Sequence, residues 1–374
     1  MIKVILICLV TLFILVVLFL GLNPAFGSRP GKHTLQRMKK SKDYKDGKFH
    51  NRQDTPMYDK DVSFWSVLRG FIKGTENGRP SEPVNVVPFS SNNFLKTHNG
   101  LSVVWFGHST VMLNIEGFII LTDPVFSKKA SPVNFMGTTS FDYSHEFDPE
   151  SLPEIDLVLI SHDHYDHLDM STIKKISHKV KSFYVPLGVA AHLFRWGVDP
   201  EKVVEVRWEG SYMVNDKLQL AITTARHFSG RRLTDRNSTL WCSYIIKTDN
   251  QTIFYGGDSG YGTHFKETGE KFGPFDLTLL ECGQYNTAWP YIHMMPEQTA
   301  QAHIDLNGKL LLPIHWGKFK LSLHPWTEPV ERLETAADAM NIKVITPKIG
   351  EILNIDDQVA TEKWWRKENF SEYQ

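Results

Sequence analysis

The chain is most constrained by one run, Ser161-His162-Asp163-His164-Tyr165-Asp166-His167-Leu168-Asp169, which follows the apolar segment 155–160. Three imidazoles and three carboxylates fall within eight positions. Imidazole nitrogen and carboxylate oxygen are the donors that zinc, manganese and iron accept. Residues 157–160 read as a strand buried on both faces that ends where the histidines begin. In the extended part, His162 and His164 are two apart and point the same way, so they can bind one ion together. Asp166 and His167 follow after a turn and can face a second ion. Met170, Ile173 and Ile176 then recur at roughly helical spacing behind a possible Ser171 cap, giving strand, loop and helix.

The same arrangement recurs downstream. His227 follows the apolar strand 218–224, Asp258 follows 252–255 with Gly256-Gly257 before it, and His315 follows 310–314. Each lies just past a strand, as a site on one edge of a layered fold requires. Asp123, in Leu121-Thr122-Asp123-Pro124, suits a carboxylate that orients a ligating imidazole through its other N–H. His108, in Gly107-His108-Ser109-Thr110, is read as structural or as a neighbour of the ligands. Strands are expected at 101–106, 110–115, 118–122, 183–186, 203–207, 242–248 and 276–281, with helical patterns near 170–180, 188–196, 296–306 and 328–340. Mixed this way, they argue for layered α/β architecture.

The loop SHDHYDHLD resembles the signature of the metallo-β-lactamase fold superfamily. More of the chain is similar to the N-acyl-phosphatidylethanolamine-hydrolysing phospholipase D family. The matching segments are VVWFGHST (103–110), LTDPVFSKKASPVNFMG (121–137), FYVPLG (183–188), ARHFSGR (225–231), FYGGDSGY (254–261), KFGPFDL (271–277) and PIHWGKF (313–319). The resemblance implies an α/β fold of metallo-β-lactamase type, a four-layer αββα sandwich, to which the apolar N-terminal run adds an expected transmembrane helix. It implies that His162, His164 and His227 bind one ion, that Asp166, His167 and His315 bind the other, and that Asp258 bridges the two. It also implies a histidine beside the substrate, His293, so that Asp166, Asp258 and His293 carry the catalysis. The chain departs from the family at Asp163, where asparagine is frequent, around Glu281–Tyr285, and in its N-terminal span.

Charge narrows the chemistry. Two divalent ions, two ligand carboxylates and a bridging hydroxide leave about one net positive charge, which favours an anionic substrate. Metal-bound water ionises near pH 7, and paired ions can steady the attacking and leaving oxygens of a phosphoryl displacement. Zinc is the first expectation for the two ions, with iron and manganese fitting the donors nearly as well. The expected reaction is hydrolysis of N-acyl-phosphatidylethanolamine to phosphatidic acid and N-acylethanolamine by a metal-bridging hydroxide. A lactonase or other ester hydrolase is the alternative, and a membrane-tethered zinc-containing binding protein is the alternative of another class. Structural zinc sites are usually closed and cysteine-rich, which speaks against the last.

The ends of the chain set its context. Residues 2–22 are apolar apart from Lys3 and Thr11, with about 19 consecutive membrane-compatible positions against the ~20 a span needs. A single-pass anchor is the expectation, with a signal cleaved near Ala25-Phe26-Gly27 as the alternative that would export the enzyme. Arg29, Lys32, Arg37, Lys39, Lys40 and Lys42 follow the span, placing the enzyme in the cytoplasm by the positive-inside rule. The expected divisions are 1–22 anchor, 23–95 basic linker with an amphipathic segment, and 96–374 hydrolase. Residues 28–60 read as a linker or extended arm. From Phe64 to Lys73 the apolar spacing is helical, packing on the core or meeting the bilayer. The pair Trp364-Trp365, with Arg366 and Lys367, reads as a headgroup contact or a solvated tail. Cys242 and Cys282 are expected to be free thiols, a bridge between them being the alternative. With 41 Lys and Arg against 42 Asp and Glu, no global field recommends nucleic acid. The expected partners are the bilayer and its lipid, and a homodimer is left open.

Overall fold

The computed structural model describes residues 1–96, 100–133, 135–355 and 359–366. The chain begins with α1 (Ile2–Leu22), an apolar helix with no buried residue. By length and composition it is a candidate membrane span. An arm follows, comprising α2 (Lys32–Lys39), a two-stranded ribbon of β1 (Tyr44–Lys45) and β2 (Lys48–Phe49), and α3 (Phe64–Lys73). After α4 (Ser91–Leu95) comes the antiparallel meander β3 (Leu101–Trp105), β4 (Val111–Ile115) and β5 (Phe118–Thr122). A second ribbon, β6 (Lys129–Ala130) with β7 (Thr138–Thr139), precedes β8 (Ile155–Leu159), α5 (Met170–Ile176), β9 (Val180–Pro186), α6 (Ala190–Arg195) and β10 (Val203–Val206).

These strands, with the last one, β17 (Ile352–Asn354), form a seven-stranded sheet in the order β10-β9-β8-β5-β4-β3-β17. The second sheet runs in chain order: β11 (Ser211–Met213), β12 (Gln219–Thr223), β13 (Ser243–Lys247), β14 (Thr252–Tyr255), β15 (Leu277–Glu281) and β16 (Leu311–Ile314). Its connections carry α7 (His264–Phe272) and α8 (Pro296–Asp305), and α9 (Glu328–Met340) follows β16.

Alternation along the strands builds the layers, because successive side chains point to opposite faces. In the first sheet Val103, Trp105, Leu113 and Leu157 enter the core shared with Leu220, Tyr244 and Ile253 of the second. Their neighbours Val104, Met112, Val158 and Phe183 face the other way, onto Ile173, Ile176 and Leu193 of α5 and α6. Helices α7, α8 and α9 cover the outer face of the second sheet. The result is helix, sheet, sheet, helix, with the central strands buried on both faces, which is why β8 and β15 read as largely apolar without alternation.

Two stretches differ from the sequence expectation. Residues 28–60 carry α2 and a ribbon, and single apolar anchors, Met38 and Phe49, join the inter-sheet core. Isolated anchors give no periodic signal, so nothing in the pattern marks them. Trp364 and Trp365 are neither headgroup contacts nor a solvated tail. Trp365 is 4% exposed, its indole N–H donates to Glu331 Oε1 at 2.6 Å, and Trp364 stacks on Trp316 with centroids 5.4 Å apart. Lys367 lies outside the described residues. Cys242 and Cys282 are buried free thiols.

Candidate metal centre

The site forms where strand ends converge between the sheets. His162 to His167 follow β8, His227 follows β12, Asp258 follows β14, and His315 follows β16. Gly257 permits one of these approaches. Its φ is +59°, and a Cβ there would lie 2.5 Å from Ser161 Cβ, so only glycine lets the Asp258 turn reach the metal loop.

Four overlapping groups of donors result among the described residues, two of which carry the histidines of the proposed ligand sets. In the first, His162 Nε2 and His227 Nε2 lie 2.8 Å and 3.3 Å from His164 Nδ1. Three ring nitrogens thus point at one another. In the second, His167 and His315 gather with Asp166 and His108, whose donor atoms all lie within 4.8 Å. Asp258 stands between the groups, Oδ2 3.1 Å from His167 Nε2 and 3.7 Å from His227 Nε2, Oδ1 3.1 Å from His315 Nδ1.

The outward nitrogens are fixed by the surroundings, which settles the tautomers. His167 Nδ1 donates to Asp123 Oδ2 at 2.6 Å. His227 Nδ1 donates to the Ile292 carbonyl at 2.8 Å. Asp123, as expected from sequence, is a hub, also accepting from Ser161 N, Ser161 Oγ and the Tyr255 hydroxyl. His108 faces Asp166 directly, Nε2 to Oδ2 at 2.9 Å. The backbone is held in uncommon conformations here, with φ of 54° at His108, 34° at Asp123 and 67° at His315. Left-handed non-glycine residues cost on the order of 1–3 kcal/mol each and cluster at functional sites.

The donor set fits metal. His167 Nε2, Asp258 Oδ1 and His108 Nδ1 are buried with no hydrogen-bond partner among the described residues. A buried unsatisfied polar atom costs about 1–3 kcal/mol, and three at one centre mark a place made for something that accepts their lone pairs. Burial pushes His162, His227 and His315 well below the ordinary imidazole range, with neighbouring imidazoles adding to the effect. They are neutral at pH 7, as ligation requires. Burial opposes protonation of His167 too, but Asp258, Asp166 and Asp123 outweigh it and raise its pKa well above the usual value, so a metal ion would have to displace the Nε2 proton before using that lone pair. Burial lifts Asp258 to about 6.

His293 lies at the same centre, its ring stacked on His315 with centroids 5.2 Å apart. Its Nδ1 is 2.6 Å from Glu281 Oε2, leaving Nε2 for the pocket. Glu281 also accepts from Ser259 N and Met294 N. It therefore ties the Asp258 turn to the His293 segment. In sequence this carboxylate reads only as part of a departure from the family around Glu281–Tyr285, a substrate-facing loop. The signal was there, since Glu281 closes β15 just as the other site residues follow their strands.

Two further supports come from residues read as linker or departure. Asn51 of the arm takes both backbone groups of His227, donating to its carbonyl at 2.7 Å and accepting from its N–H at 3.3 Å. Asp163 accepts from Thr239 Oγ1, Gly230 N and His192 Nε2, so its charge is fully met. Above the donors opens a pocket of about 270 Å³. Its upper wall is apolar, with Met57, Tyr58, Phe71, Phe228, Trp289 and Leu321. Helix α3 contributes Val67 and Phe71, the latter stacked on Trp289 at 6.2 Å, while Phe64, Trp65 and Ile72 are exposed. One side of α3 thus packs on the domain and another is open.

Residues 119–316 match the beta-lactamase superfamily domain. The chain belongs to the beta-lactamase superfamily. Within this superfamily it is 41% identical to an uncharacterized protein of Mycobacterium tuberculosis, over 87% of this chain and 88% of the relative. It is 31% identical to N-acyl-phosphatidylethanolamine-hydrolyzing phospholipase D 1 of Caenorhabditis elegans, over 70% of this chain and 78% of the relative. Among solved structures it is similar to a metallo hydrolase of the archaeon Ignicoccus hospitalis, with a TM-score of 0.52 at 22% identity, covering 68% of this chain and 97% of that one. That likeness carries the fold. This beta-lactamase superfamily chain is a metal-dependent hydrolase, and its histidine and aspartate clusters could hold the metal.

Proposed function

We propose that the chain is a membrane-anchored phosphodiesterase of phospholipase D type, which hydrolyses N-acyl-phosphatidylethanolamine to phosphatidic acid and N-acylethanolamine. The observation that carries the reading is the pairing of two donor groups around Asp258 with an apolar-walled pocket directly above them. A lipid phosphodiester needs both, a charged floor for the phosphoryl group and a dry wall for the chains. The name of the Caenorhabditis elegans relative supports the substrate.

In this reading His162, His164 and His227 would hold one ion and Asp166, His167 and His315 the other, with Asp258 placed between the two groups. Zinc is the first choice for both, with iron or manganese as the alternative. A metal pair held there would supply Lewis acidity toward a phosphoryl oxygen and a nucleophile at neutral pH. The chain's own groups do the rest. Asp123 fixes the ring of His167, and Ile292 fixes that of His227. His293, oriented by Glu281, moves a proton at the departing ethanolamine oxygen through Nε2. Phe71, Trp289 and Met57 exclude water from the acyl side. Helix α1 anchors the enzyme, and the basic residues after it favour a cytoplasmic domain.

The test is hydrolysis of N-acyl-phosphatidylethanolamine in detergent micelles, with bound metal quantified alongside and Asp258→Asn as control. Release of both products, lost in the variant, supports the reading. Intact lipid with two metals bound per chain sinks the substrate and sends the search to lactones and other esters.

A further inference from the structure

The apolar helix does not leave the domain on a loose tether. Arg195 caps its end, donating to the carbonyls of Gly21 and Leu22 at 2.8 Å and 2.9 Å, where a cation also meets the negative end of the helix dipole. The next residues are gripped in turn. Trp196 Nε1 donates to Pro24 O at 2.7 Å, Arg231 to Ala25 O, and Arg232 Nε to Phe26 O at 3.0 Å. Arg195 and Arg232 share Gly27 O, and Ser28 N donates to His192 Nδ1 at 2.9 Å. Ala25 and Phe26 are buried beneath these groups. The segment is a rigid bracket.

The bracket is continuous with the centre. Arg231 also donates to the carbonyls of Asp163 and Leu168 in the metal loop and lies over the Tyr165 ring at 4.1 Å. At the far end of the same loop, Arg236 lies over Phe228 at 4.4 Å, and its Nη1 donates to Met57 Sδ. Both of those residues line the pocket. One loop, 231–236, therefore joins the helix exit to the pocket wall, and at its tip stands Leu233, 91% exposed. On another side of the exit, Asn23 Nδ2 donates to Pro132 O in the turn between β6 and β7. That turn carries Phe135 and Met136, 78% and 62% exposed. Single exposed apolar residues are ordinary. Three on two loops hydrogen-bonded to the end of a span-length helix are a pattern.

We propose that these tips are a membrane-seating surface. Leu233, Phe135 and Met136 enter the headgroup–acyl boundary of the bilayer that holds α1, and the bracket keeps the pocket mouth at that interface. The occupant is the lipid bilayer, because the helix exit that these loops hold is where a bilayer begins. This rests on the reading of α1 as a span, and gives that reading a consequence, since an acyl chain then reaches the pocket without crossing water.

The test uses site-directed fluorescence. Among the three cysteines only Cys8 is exposed, so the full wild-type chain labels within α1. In a Cys8→Ser background, Leu233→Cys, Phe135→Cys and, as control, Met340→Cys on the outer helix α9 are labelled and reconstituted into phosphatidylcholine nanodiscs. Lipids carrying a nitroxide at shallow acyl depth, about 5–10 Å in, serve as quencher. The expected result is loss of fluorescence at positions 8, 135 and 233 and none at 340. Quenching at 8 with 135 and 233 matching 340 overturns the seating surface while the span stands. An unquenched label at 8 overturns both. Neither outcome depends on catalysis, so the phospholipase reading is judged separately.

Discussion

At the scale of single residues, the centre separates groups that would hold metal from groups that aim them. Asp123 touches His167 through a single carboxylate oxygen, so Asp123→Asn keeps the shape and weakens the acceptor. Removing such a partner typically costs 10–100-fold in metal affinity, to be read by competition against a chelator of known strength. Glu281 is different, since its one side-chain hydrogen bond in the centre is to His293, while its carboxylate also lies within 4.8 Å of the Asp258 and His315 donor atoms. For Glu281→Gln we expect metal content unchanged, KM nearly unchanged, and kcat down by about 10²-fold, the lower range of a general acid–base contribution. Loss of metal in that variant would make Glu281 part of the ligand scaffold instead.

At the scale of elements, the arm and α3 are the parts on which specificity and stability meet. Asn51→Ala would leave both backbone groups of buried His227 without partners, a cost of about 1–3 kcal/mol, visible as a lower midpoint in urea unfolding. Phe71→Ala removes a ring stacked on Trp289, worth about 0.5–1.5 kcal/mol. It should raise KM for long-chain lipid up to about tenfold and leave a short-chain phosphodiester unaffected; equal effects on both would count against α3 as an acyl wall. How far these elements are legible in sequence follows from their physics. Strand β8 and the donors after it are plain because an apolar run stops abruptly at His162. Glu281 hides because Leu279, Leu280 and Cys282 surround it, so the run does not visibly stop. The arm hides because Met38 and Phe49 act as lone anchors in a polar stretch, and Trp364-Trp365 because a local pattern cannot reveal the distant Trp316 they pack on. The seven donor candidates were legible only in order and in motif context, where the resemblance also implies their grouping around Asp258; the distances between them needed the two sheets to be brought face to face.

At the scale of the whole molecule, the centre joins two halves. Strands β3 to β5, β8 to β10 and β17 build one sheet, β11 to β16 build the other, and the donors follow strands of both. Chelation should therefore lower the thermal midpoint of the entire domain in one transition, by an amount that grows with metal in the comparison sample; full occupancy at about 1,000 times Kd corresponds to about 4 kcal/mol. An unchanged midpoint would mean that the sheets hold together without the ions. The position of the last strand adds a matter of timing. Because β17 returns to pair with β3, the first sheet keeps an open edge until residue 354 has been made, and His315 emerges roughly 300 residues after the apolar helix. At about 5–20 residues per second, that is roughly 15–60 s of synthesis. A ribosome making this protein would thus hold a helix ready for the membrane beside an unfinished sheet, and the donor set would close only when His315 emerges.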